Sequence, residues 1–122
     1  MSKEILNELN SGTVHITEEV LISIATVETS RIQGVSVIPA GVVELFSTKH
    51  LNRDIEVNID ENNVYMTIKV SVEYGINLIK VSQEIQNSVK ERIETMTGLN
   101  VNEINVIISN VVVPKEVKEN SK

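Results

Sequence analysis

The chain has 122 residues, enough for one domain with a real core. Hydrophobic residues make up 41% and aromatic ones only 2%, so the core must be aliphatic, and a stacking platform for single-stranded nucleic acid or a sugar is hard to assemble. Eleven Lys and Arg against 17 Asp and Glu give a net charge of −6, which disfavours nucleic acid and anionic lipid as partners, and the lack of cysteine excludes disulfides, thiolate nucleophiles and zinc–cysteine sites.

Residues 1–11 read as a flexible N-terminal arm, in which Asn7 and Asn10 weaken a short stripe of Ile5, Leu6 and Leu9. Lys3, Glu4 and Glu8 interrupt any apolar centre of a signal peptide, and no apolar run approaches the roughly 20 residues that span a bilayer. A soluble, cytoplasmic protein without direct membrane insertion is therefore expected. Gly12 opens an expected strand at 13–16, with Val14 and Ile16 on one face and His15 on the other. Thr17 is the expected N-cap of a helix with Glu18 and Glu19 in its first turn, running to about Gln33 and stopping at Gly34. Its apolar arc is expected to hold Val20, Leu21, Ile24, Ala25, Val27 and Ile32, with Ile22 outside it and Glu28 and Arg31 as a solvated i,i+3 pair.

Residues 35–53 form a long connection broken by Pro39 and Gly41, with a helical turn at 42–46 and a basic cluster of Lys49, His50 and Arg53. Of the whole chain this segment is the best suited to move or to bind. Ile55, Val57 and Ile59 alternate with Glu56 and Asn58; after the turn at 60–63, Val64, Met66, Ile68, Val70 and Val72 alternate with polar residues. Two such runs make an antiparallel hairpin with one buried face. Gly75 allows a sharp turn, Asn77 is an N-cap, and a helix over 78–97 carries the stripe Leu78, Val81, Ile85, Val89, Ile93 and Met96 up to a stop at Gly98. A final strand lies within 99–113, Pro114 ends it, and 115–122 is a charged, disordered tail.

This order, β-α-β-β-α-β, predicts an α+β two-layer sandwich, a mainly antiparallel sheet with two helices on one face, folded as a single domain over 12–114. A ferredoxin-like topology fits it. The stretch 99–113 has Glu103 as its only charge. At a sheet edge its free N–H and C=O groups would invite self-association, with Ile107, Val111, Val112 and Val113 as the candidate residues and a homo-oligomer as the product.

Chemistry is sparse. His15 and His50 lack metal-ligand spacing, and the adjacent carboxylates Glu18–Glu19 and Asp60–Glu61 fall at a helix start and a hairpin turn, where solvation is expected. No dinucleotide, Walker or nucleophile-elbow motif occurs, and no two glycines have the spacing of a KH loop. The least favoured alternative is an enzyme or ligand-binding domain with a cleft between the 35–53 connection and the sheet, where Ser47, Thr48, Lys49 and His50 would act together. In Glu73-Tyr74-Gly75 the aromatic ring is either a contact point or, as favoured here, a cover for the helix entry. The expectation is no enzyme: no catalytic residues, no cofactor and no metal.

Gly12-Thr-Val-His-Ile-Thr, Ile32-Gln-Gly-Val35, the strand ending Val-Glu-Tyr-Gly at Gly75, Gln83-Glu-Ile-Gln86, Met96-Thr-Gly-Leu99 and Val101-Asn-Glu-Ile-Asn-Val106 follow one another in this order along the chain. Together these segments resemble the alkaline shock protein family. The chain departs from the family in its first helix, where Thr26, Glu28 and Thr29 replace small residues. The resemblance implies a non-enzymatic bacterial protein of general or envelope stress, cytoplasmic and held at the membrane through a membrane-anchored protein partner. It also implies an alternative, a regulator of acetyl-CoA carboxylase and fatty-acid synthesis.

Overall fold

A computed structural model of the protein describes residues 12–36 and 54–113. The elements are α1 (Glu18–Ser30), β1 (Val35–Ser36), β2 (Ile55–Asp60), β3 (Asn63–Glu73), α2 (Leu78–Thr97) and β4 (Asn100–Val112). The expected arm at 1–11, the connection with Ser47, Thr48, Lys49 and His50, and the tail at 115–122 lie outside the described residues.

The sheet is organised around β3. Its partner β4 runs parallel to it from Asn63↔Asn100 to Glu73↔Val112 and takes one edge. The other edge is shared by two antiparallel neighbours, β2 from Ile55↔Ile68 to Asp60↔Asn63, and β1 at Val35↔Val72 and Ser36↔Ser71. The two-residue turn Glu61-Asn62 closes the β2–β3 hairpin, with Glu61 at φ 59°. A parallel β3–β4 pair needs a crossover, and α2 supplies it.

One aliphatic core joins the layers. Val64, Met66, Ile68, Val70 and Val72 point inward from β3, and Val81, Ile85, Val89 and Ile93 meet them from α2 at a spacing of about one helical turn. Leu21, Ile24 and Ala25 of α1 complete the cover on the same face. The α+β sandwich with both helices on one face is therefore present, and two of its three strand pairings are antiparallel.

Several expectations need correction. Residues 13–16 carry no regular structure; the short β1 follows α1 instead, so the described order is α-β-β-β-α-β. A ferredoxin-like sheet would separate β3 from β4 by the first strand; here β3 and β4 pair directly. In α1, Ile22 and Thr29 are buried while Val20 and Val27 are exposed. Apolar side chains occur on most sides of this helix, so periodicity alone could not orient it; contact with both the sheet and α2 turns the buried arc toward Ile22. Thr17 holds the N-cap position in extended conformation, but its side chain makes no capping bond. Leu78 and Met96 are exposed because they stand at the two ends of a helix longer than the core beneath it.

Candidate interaction surface

Backbone contacts gather three distant segments at one end of the molecule. Glu73 N–H donates to Gly34 O at 2.9 Å, Tyr74 N–H to Val112 O at 2.9 Å, and Ile76 N–H to Glu73 O at 3.3 Å. The exit of α1, the β3–α2 turn and the end of β4 are thereby tied together. Gly34 has φ +84° and Gly75 φ +101°, both left-handed positions that favour glycine. Gly34 is also crowded: a Cβ there would lie 2.9 Å from Ile76 Cδ1.

Two large apolar side chains stand out from this end. Tyr74 is 64% exposed and Ile79 is 70% exposed, and Leu78, the first residue of α2, is exposed as well. Tyr74 therefore does not cover the helix entry: the Gly75 turn directs the chain into α2 while the ring stays in solvent. An open groove of about 730 Å³ lies alongside, with Gln33, Ile76, Asn77, Lys80, Glu84 and Asn87 in its walls. Asn77 Oδ1 accepts from Lys80 N–H at 2.9 Å, which fixes the start of α2.

A second, smaller groove of about 390 Å³ runs between the helices, past Ile24, Val27 and Met96. Its polar feature is Glu28, whose side chain is only 12% exposed. Arg92 Nε donates to Glu28 Oε2 at 3.1 Å, and Arg31 Nη1 lies 3.6 Å from the same oxygen. The expected solvated pair is corrected on this point: Arg31 is solvated, but Glu28 is sheltered by α2 and shared with a cation of that helix.

The third surface is β4. Among the described residues its only strand partner is β3, so it is an edge strand. Near its start the outer edge is clamped by α2. Lys90 Nζ donates to Val101 O at 3.3 Å, Val101 N–H donates to Glu94 Oε2 at 2.9 Å, and Gln86 Nε2 donates to Ile104 O at 3.0 Å. Farther along, Ile107, Val111, Val112 and Val113 are each 40–49% exposed. Among the described residues no strand pairs with β4 on its outer side here, where Ile107, Val111 and Val112 lie, and Val113 follows directly after the strand. The clamp residues Gln86, Lys90 and Glu94 stand four apart on the polar side of α2, a spacing visible in the sequence but indistinguishable there from ordinary surface polarity.

His15 is exposed ahead of α1; Glu18 and Glu19 are exposed in its first turn, and Asp60 and Glu61 at the hairpin. Among the described residues no group of three or more His, Cys, Asp or Glu is placed to hold a metal ion, and no helix is long and apolar enough to cross a membrane.

The chain is similar to known proteins in sequence and in fold. The chain is 29% identical to YqhY of Bacillus subtilis over 101 residues, covering 80% of this chain and 75% of that protein. It is 24% identical to YloU of the same organism over 106 residues, covering 82% and 88%. Both relatives are described as uncharacterized. In fold it is similar to a variant of the MamM CTD, with a TM-score of 0.53 at 12% identity over 75% of this chain and 94% of that one. The family model of alkaline shock protein 23, described by a cell envelope-related function, matches residues 7–113, which include every described element. The chain belongs to the alkaline shock protein family.

Proposed function

We propose that this chain is a non-enzymatic interaction protein of the envelope stress response, acting through protein partners, with a membrane-anchored protein as its partner at the envelope. The family match over residues 7–113 carries the reading. The end formed by Tyr74 and Ile79 supports it, because large apolar side chains exposed beside an open groove of mixed polar and apolar lining suit contact with another protein. Association with the membrane then runs through the partner.

Affinity capture of the full chain from cells, followed by membrane fractionation, tests this. A membrane protein is expected to be recovered with the chain, and Ile79→Glu is expected to lower that recovery several-fold while leaving the fold intact. A chain found wholly in the soluble fraction, with no membrane-protein partner, contradicts the reading. Recovery of acetyl-CoA carboxylase subunits instead, with a carboxylase rate that responds to the purified chain, replaces it by regulation of that enzyme.

A further inference from the structure

The open part of β4 has a pattern that is complementary to itself. From the structure we infer that two copies of this chain pair antiparallel through residues 106–113, about a two-fold axis between Ser109 and Asn110. This goes beyond the partner reading above and stands on the strand alone.

The pairing has natural limits on both sides. Ahead of it, Gln86, Lys90 and Glu94 already occupy the outward backbone groups of Val101 and Ile104. Behind it, residue 114 is proline, which has no N–H to give to a ladder. Between these limits the proposed register places Val106 opposite Val113, Ile107 opposite Val112, Ile108 opposite Val111 and Ser109 opposite Asn110. Every apolar residue meets an apolar one, and the two polar residues meet at the axis.

A bulge makes the faces agree. Ile108 pairs with buried Val70 and Val111 with buried Val72, so both lie on the core face although three residues apart. Ile107 pairs with Lys69 and Val112 with Glu73, so both lie on the open face. The register shift between Val70 and Ser71 adds the residue that permits this. Without it Ile108 and Val111 would face opposite ways and could not be neighbours across a two-fold axis. With it, two four-stranded sheets join into one, and the helices of both copies lie on the same side. The segment also carries no charge, so it lacks the lysine or glutamate that blunts edge strands.

The absence of cysteine from the sequence allows a direct test by disulfide capture. Full-length Ile107→Cys and Val112→Cys are made separately and mixed under oxidising conditions. In the proposed register these positions face each other at about 5 Å between Cα atoms, within disulfide reach. Residue 107 of the second copy is five residues away along the strand, about 17 Å, so neither variant bridges to itself. The expected result is a cross-linked dimer from the mixture and almost none from either variant alone. No enrichment in the mixture overturns the register. Sedimentation equilibrium supplies the second measurement: wild type is expected to dimerise, and Val112→Lys to raise the dimer Kd at least tenfold with an unchanged circular dichroism spectrum. A wild type that stays monomeric at millimolar concentration, whether because residues 1–11 cover the edge or for any other reason, overturns the inference.

Discussion

At Gly34 two demands coincide: the backbone needs φ +84°, and the space where a side chain would begin is taken by Ile76. Gly75 has a similar demand on φ, +101°, but open space around it. Gly75→Ala should therefore destabilise by about 1–2 kcal/mol from backbone strain alone. Gly34→Ala should exceed it, because Ile76, stiff at χ1, must also shift. Denaturant unfolding of the two variants checks the order; equal losses would show that Ile76 yields freely. Glu28 offers a comparison of a different kind. It serves Arg92 across the helix pair and Arg31 along its own helix, through one oxygen. The guanidinium of Arg92 is closer and less exposed, so a double-mutant cycle should give about 0.5–1 kcal/mol of coupling for Glu28–Arg92. The pair Glu28–Arg31 should give about 0.2–0.5 kcal/mol. Both should shrink in high salt. A larger coupling to Arg31 would mean that Glu28 belongs to α1 alone.

The two helices begin differently, and this belongs to the element scale. Asn77 accepts a hydrogen bond from Lys80 N–H, whereas Thr17 makes no side-chain cap. Asn77→Ala is expected to cost about 1 kcal/mol, and Thr17→Ala less than half of that, as read from thermal unfolding. Equal losses would contradict the difference in capping. From sequence both looked like caps, since residue type reports the preference and only the rotamer reports the bond. The hairpin and α2 were legible because each has one strong period, two for the strands and about 3.6 for the helix. Gly98, at φ +81°, ends α2 where a glycine stop was expected. In α1 the apolar residues surround most of the helix, so the burial of Ile22 was hidden. The bulges of β4 left a trace. Its inward residues are Val101, Ile104, Val106, Ile108 and Val111, and the steps of three from Val101 to Ile104 and from Ile108 to Val111 mark where a residue is added. Residues 99–113 are expected from their alternation to be a strand, but a simple period-2 reading passes over both steps.

At the scale of the whole molecule, the helices cover one face of the sheet, and the contact surfaces gather where β3 and β4 end. A parallel β3–β4 pair produces this, because it brings Tyr74 beside Val112 and starts α2 at the same place. The four residues of the candidate edge could be named from sequence because the stretch is β-branched and nearly uncharged. The exposure of Tyr74 and Ile79 could not, since an apolar residue at a helix start reads equally as core. The partial clamp on the edge was also out of reach, because it joins side chains of α2 to backbone atoms of a strand that follows it. If a membrane-anchored protein partner holds the chain at the envelope, as proposed, the most direct measurement is cross-linking in intact cells followed by capture of the full chain and fractionation. The expected result is a membrane protein linked to wild type and lost from Ile79→Glu; a chain recovered only from the soluble fraction, with wild type and variant alike bound to no membrane protein, would contradict the account.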